Sequence, residues 1–218
     1  MSLEVQGFAL VQSSLSQEIL EELRNTLFHN DSAGERCLLD QPVVRETVLG
    51  LKRELIKSGY LSSETLAIQA IAFDKTPTTN WKVAWHQDLM FPFAKPVTAH
   101  DFHLPTVKQG IDYARPPASI LEQLLAVRLH LDDCNSTNGP LRVSPGTHRA
   151  GIFRTSEIPA RVAAGGEFTC LAKTGEVLLM RPLTIHASSQ ATSPKHRRVL
   201  HLVYHSGDPI PEAWHRAI

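Results

Sequence analysis

Leu124-Leu125-Ala126-Val127-Arg128-Leu129-His130-Leu131-Asp132 is the stretch that decides the fold class. Leu125, Val127, Leu129 and Leu131 take one set of alternate positions, and Arg128, His130 and Asp132 take the other. Successive side chains of a strand point to opposite faces, so the segment reads as a strand with one apolar and one polar face.

Segments of similar texture lie on both sides of it. Downstream, Asn138-Gly139-Pro140 makes a turn, Leu141 to Val143 a short strand and Ser144-Pro145-Gly146 a second turn. Gly175 to Met180, Thr184 to Ser188 and Arg197 to His205 extend the series, and upstream Leu66 to Phe73 and Val83 to Leu89 begin it. Short strands divided by turn signals predict a sandwich or barrel. Phe91 to Pro117 breaks the pattern with Pro92, Pro96, Pro105, Pro116 and Pro117 among polar residues, and is predicted as a long irregular lid. The amino-terminal part is different again. Ser14-Leu15-Ser16-Gln17 reads as a capping box, followed by Leu15, Ile19, Leu23 and Leu27 at helical spacing. A second helix is predicted from Pro42 to Lys57, with Val44, Val48, Leu51 and Leu55 as its stripe and Ser58-Gly59 as its stop. The expected organisation is one mainly β domain with flanking α-helices: residues 1–60 as helical support and 61–218 as the core, with 91–117 as lid.

Bulk properties narrow the function classes. The 218 residues are 42% hydrophobic and 20% charged, with formal net charge zero. Neither a nucleic-acid footprint nor an anionic-membrane surface is expected from that balance. Cys37, Cys134 and Cys170 are too far apart for a redox or metal motif, and no apolar run approaches the roughly 20 residues of a membrane span. A cytoplasmic protein with reduced thiols is expected.

The chemistry-bearing stretch is Trp85-His86-Gln87-Asp88. His86 and Asp88 share a face if the segment is extended. With a second histidine, for which His186 is the best candidate, they form the two-histidine, one-carboxylate set that holds non-haem iron(II) and leaves positions open. His130-Leu131-Asp132 is a second pair of the same spacing, and spacing alone does not choose between them.

Trp85-His86-Gln87-Asp88, Asn138 to His148, Gly175-Glu176, His186-Ala187-Ser188-Ser189 and Arg197-Arg198, in that order, resemble the phytanoyl-CoA dioxygenase family of iron(II)/2-oxoglutarate oxygenases. The resemblance implies a double-stranded β-helix (jelly roll), with iron ligands at His86, Asp88 and His186. It places the cosubstrate arginine at Arg197, eleven positions after His186, with Arg198 the alternative, and a serine sharing the same carboxylate at Ser188. Arg128 falls where family members commonly carry an aromatic residue facing the cosubstrate, and as a second cation near the iron it is expected to pair with the cosubstrate or with an acidic substrate. The carboxylate at Asp88 separates the chain from halogenase relatives, which have a small residue there. Gln69 and Asn80 lie before the ligand strand, within reach of cosubstrate or substrate. Tyr113, Arg115 and His130 are candidates for the substrate side. The reaction implied is dioxygen-dependent hydroxylation of a small polar or anionic molecule, yielding succinate and CO2. The alternatives are a non-catalytic binding or regulatory jelly roll, and a zinc hydrolase on the same three ligands.

Overall fold

The computed structural model describes residues 2–29 and 33–218. Its strands in chain order are β1 (Phe8–Gln12), β2 (Gly34–Arg36), β3 (Leu66–Lys75), β4 (Val83–His86), β5 (Phe91–Phe93), β6 (His103–Lys108), β7 (Ile111–Arg115), β8 (Leu124–His130), β9 (Leu141–Val143), β10 (Phe168–Cys170), β11 (Glu176–Met180), β12 (His186–Ser188) and β13 (Arg197–His205). Helices are α1 (Leu3–Gln6), α2 (Gln17–Leu27), α3 (Pro42–Lys57), α4 (Ala118–Leu121) and α5 (Ile158–Gly165). A six-stranded sheet runs β1-β11-β8-β13-β3-β2, and a four-stranded sheet runs β10-β9-β12-β4. Named strand pairs are antiparallel throughout, as in a jelly roll.

The alternation read in β8 sorts the two faces of the larger sheet. Leu125, Val127 and Leu129 join Leu200, Leu202 and Tyr204 of β13 in the core beneath α2 and α3. Val44, Val48, Leu51 and Leu55 supply the α3 side of that core. The Tyr204 hydroxyl donates to Val48 O at 2.9 Å and ties sheet to helix. The other face, including Arg128, His201 and Arg197, turns toward the interior of the roll. Every residue of β8 is therefore buried, because helices cover one face and the second sheet the other.

Three expectations need correction. The first sixty residues are not helical support alone: β1 and β2 are the two edge strands of the larger sheet. The cap of α2 is Ser16, whose Oγ accepts from Ile19 N, while Ser14 instead binds Glu54 of α3 through both its backbone and side chain. The stretch 91–117 is not irregular. It forms a three-stranded sheet in the order β5-β7-β6. Its prolines in strand positions, Pro92 and Pro105, fall on the two edge strands, where a missing N–H costs no ladder bond. Gln109 and Gly110, with φ of 53° and 77°, make the two-residue turn between β6 and β7 that a tight hairpin needs. The base of this sheet is packed through Phe91, Phe93, Phe102 and Trp214, whereas β6 is exposed along its whole length.

Candidate metal and cosubstrate centre

The second sheet builds the centre by pairing its histidines directly. β12 and β4 are antiparallel neighbours with His186 opposite His86, and their ring centroids are 4.2 Å apart. The chain leaves the ladder after His86. Asp88 N then donates to Pro182 O at 3.0 Å, and the Gln87 side chain clamps the turn. Gln87 Nε2 donates to Leu183 O at 2.7 Å and Gly151 O at 2.8 Å, while Oε1 accepts from Phe153 N at 2.9 Å. The Asp88 carboxylate is thereby held between the two imidazoles, 3.6 Å from Nε2 of each.

Both histidines are oriented by the same device. His86 Nδ1 lies 2.8 Å from Ala84 O, and His186 Nδ1 lies 2.9 Å from Thr184 O. A carbonyl can only accept, so each Nδ1 carries the proton and each Nε2 presents a lone pair. Ligand atoms of His86, Asp88 and His186 all lie within 4.8 Å of one another, and among the described residues no other group of His, Cys, Asp and Glu converges in this way. Burial opposes the Asp88 charge, yet His186, His86 and His201 hold its carboxyl well below the usual range. Burial pushes His186 down to about 4, which keeps its imidazole neutral. Against the effect of burial, Asp88 raises the His86 pKa, favouring a proton that a metal at Nε2 would displace. Two imidazole nitrogens with one carboxylate form a donor set that fits iron(II). The rival pair is otherwise engaged. His130 Nδ1 faces Glu176 O at 3.3 Å, and Asp132 takes Arg198 Nε and Nη2 at 2.8 Å each.

A cavity of about 550 Å³ opens over these residues. Arg197 and Lys75 are register partners on β13 and β3, and both line it. Lys75 Nζ donates to Ser188 Oγ at 2.7 Å and to Ser189 O, and Ser188 Oγ donates to Gly139 O at 3.2 Å. Arg197 is 3% exposed and its Nε has no partner. Burial and the neighbouring Arg197 charge bring Lys75 down to about 8. Gly139, at φ +73°, is required here, since a Cβ would sit 2.7 Å from Ser189 O and 3.1 Å from Lys75 Nζ.

Of the residues expected around the centre, Gln69, Arg128, Ser188 and Arg197 line this cavity with the three candidate ligands. Asn80, Tyr113, Arg115 and His130 do not. Asn80 clamps Ala191 through both its N–H and its carbonyl, and Tyr113 is buried under Lys108 in the three-stranded sheet. Arg115 closes β7 opposite His103, and His130 is buried against Glu176 O with its pKa pushed down to about 3 by burial and by Arg128 and Arg197. The reading from sequence missed Lys75, His201, Arg36 and the clamp at Gln87. Lys75 alone carried a local hint, since it continues the period-two row Gln69, Ile71 and Phe73, but which face of that row turns inward is set by its pairing with β13.

Solved structures share this fold. HygX from Streptomyces hygroscopicus, solved with nickel and 2-oxoglutarate, superposes with a TM-score of 0.63 at 16% identity, over 93% of this chain and 83% of that one. EctD from S. alaskensis with 2-oxoglutarate and 5-hydroxyectoine gives 0.64 at 17% identity, over 94% and 73%. The non-haem α-ketoglutarate-dependent epimerase SnoN from nogalamycin biosynthesis gives 0.65 at 17%, over 93% and 78%. At these identities the likeness is one of fold. Comparison with curated protein sequences gives no significant match. The family model for phytanoyl-CoA dioxygenase (PhyH), however, matches residues 3–199, and the chain belongs to the phytanoyl-CoA dioxygenase family.

Proposed function

We propose that this protein is an iron(II)- and 2-oxoglutarate-dependent dioxygenase that hydroxylates a small polar or anionic molecule. The observation that carries the reading is the convergence of His86, Asp88 and His186, with both Nδ1 atoms spent on backbone carbonyls and both Nε2 lone pairs turned to the carboxylate. In this reading His86, Asp88 and His186 hold the metal. Arg197, Ser188 and Lys75 hold the distal carboxylate of 2-oxoglutarate, because a guanidinium and an ammonium enclosed without an acidic partner call for an anion. Iron(II) with 2-oxoglutarate and dioxygen supplies the oxidising power, with succinate and CO2 as coproducts. The residues of this chain supply placement: the Gln87 clamp fixes Asp88, the backbone carbonyls fix both imidazoles, and the three-stranded lid shields the cavity from water. EctD and SnoN, one solved with a hydroxylated product and the other an epimerase, share this fold. Intact Asp88 favours hydroxylation or a related oxidation over halogenation for this chain.

The test is anaerobic titration of iron(II) and 2-oxoglutarate into metal-free protein, followed through the visible charge-transfer band of the chelate. The band is expected in the wild type and in His130→Ala, and absent in His86→Ala. A band lost only in His130→Ala would move the metal to the other pair. No iron uptake by the wild type would favour a non-catalytic jelly roll.

A further inference from the structure

The cosubstrate, as placed above, leaves one cationic pair without an occupant. Arg128 and His201 are cross-strand partners on β8 and β13. Arg128 Nη1 lies 3.2 Å from His201 Nδ1. A guanidinium has donors only, so His201 Nδ1 accepts and the ring proton sits on Nε2. His201 Nε2–H makes no hydrogen bond among the described residues, and Arg128 Nε is buried without a partner. Both side chains line the cavity, and both are more than nine-tenths buried. None of the ion pairs among the described residues involves Arg128. The pair thus turns donors and no free acceptor to the cavity, and the carboxylate whose charge reaches it is Asp88, a candidate metal ligand.

Charge in the whole cavity points the same way. Among the described residues Arg36, Lys75, Lys108, Arg128 and Arg197 line it, against Asp88 as the acidic residue. A divalent metal and the cosubstrate dianion cancel one another. One carboxylate of 2-oxoglutarate belongs at the metal and the other at Arg197, so neither is left for Arg128. Arg197 and His201 enter the cavity four residues apart on β13, roughly 13 Å at about 3.3 Å per residue, and Arg128 lies against His201 while still within reach of the Arg197 charge. Cavities of roughly 300–1,000 Å³ hold drug-sized ligands, and about 550 Å³ leaves space for a small second molecule beside the cosubstrate.

We propose that the substrate carries a terminal oxyanion, a carboxylate or a phosphate monoester, received by the Arg128 guanidinium and the Nε2–H of His201, with Arg36 at the rim as the entry cation. This inference rests on the oxygenase reading, because it assigns 2-oxoglutarate to the other cluster. The anchor would fix the oxyanion beside the metal ligands, so that the carbon to be oxidised is a few bonds from the charged group. Long or uncharged molecules would leave the buried guanidinium unpaired, which is how a polar site rejects an analogue lacking the matching group.

The test uses zinc(II)-loaded protein saturated with 2-oxoglutarate, which is redox-inert, titrated calorimetrically with inorganic phosphate and separately with acetate. The wild type is expected to take up one anion per chain. Arg128→Gln should weaken that uptake at least tenfold while changing 2-oxoglutarate affinity less than threefold, and Arg36→Gln should weaken it by a smaller factor. Preference for phosphate or for acetate identifies the oxyanion. Absence of anion uptake by the wild type overturns the proposal without any variant. Equal loss of 2-oxoglutarate and of the anion in Arg128→Gln also overturns it, by assigning Arg128 to the cosubstrate. Failure of zinc and 2-oxoglutarate to bind at all overturns the oxygenase reading instead; phosphate titration of the metal-free wild type and Arg128→Gln then still reports on the anchor.

Discussion

Neighbouring residues on one strand of the larger sheet obey opposite rules. Leu129 points outward into the apolar core beneath α2 and α3, and Arg128 points inward to the cavity. Both are buried, at 0% and 8% exposure, so burial alone does not distinguish them. The outer side chain is surrounded by groups that satisfy it. The inner one lies over the Phe73 ring and against His201, with the Arg197 charge opposing its own, and a charge kept out of water without an ion-pair partner opposes folding. Outer positions therefore hold the fold, and inner positions are tolerated by it for the sake of a ligand.

The largest effect that tests this contrast is on the outer face. Leu129→Ala is expected to destabilise the protein by about 2–5 kcal/mol, the usual cost of a large-to-small change in a packed core. Urea unfolding monitored by circular dichroism reads it. Loss of less than about 1 kcal/mol would mean that α2 and α3 do not press on the sheet as described. The inner neighbour should respond with the opposite sign. Arg128→Met is expected to leave stability unchanged or raise it by about 1–4 kcal/mol, as replacement of buried charges by apolar groups does elsewhere. A destabilised Arg128→Met would break the comparison, because it would show that the guanidinium supports the fold itself.

Gln87 lies between the two categories. It is buried and polar, yet its partners are three backbone groups, and its task is to hold the turn that presents Asp88. Gln87→Leu leaves those groups unpaired, which costs about 1–3 kcal/mol. Metal affinity should fall by about 10–100-fold, the usual penalty for losing a group that orients a ligand. Calorimetric zinc titration separates the two outcomes. Destabilisation with unchanged metal affinity would make Gln87 a scaffold residue only.

How far the sequence could be read follows the same division. The outer face announces itself: apolar residues at alternate positions of β8, and at helical spacing in α3, whose bounds Pro42 and Lys57 match the expected ones. Of the candidate ligands only the His86 and Asp88 spacing is local, His130 and Asp132 share it, and His186 lies 98 residues beyond Asp88, so the set was legible through the family resemblance and not through spacing. Lys75 and His201 were not, since each reaches the cavity through cross-strand register, and register is set by pairings far apart in sequence. The three-stranded sheet was hidden by its prolines. Pro92 and Pro105 argue against central strands, and only the order β5-β7-β6 shows that both lie on edges. Three-residue strands such as β2 and β10 carry too few positions for alternation to show.

Lys75 gives the finest test, because its titration acts on stability and on binding in opposite directions. Burial and Arg197 lower its pKa from 10.5 to about 8, so the fold disfavours its charged form. Below about pH 8 the lysine is charged in both folded and unfolded chains, and its cost to stability is fully present. Between about 8 and 10.5 the folded chain gives up the proton and the unfolded chain keeps it, so this contribution to stability improves as pH rises. Binding of a carboxylate needs the ammonium form, so 2-oxoglutarate affinity should decline over the same interval. Lys75→Met is expected to remove both slopes: the variant is more stable near neutral pH, binds 2-oxoglutarate more weakly there, and changes little toward pH 10. Thermal melts and zinc-supported 2-oxoglutarate titrations at pH 7, 8 and 9 read the two trends. A variant that keeps the wild-type decline in affinity would assign the titration to another group, and would leave Lys75 as the post that holds Ser188 and Ser189 in place.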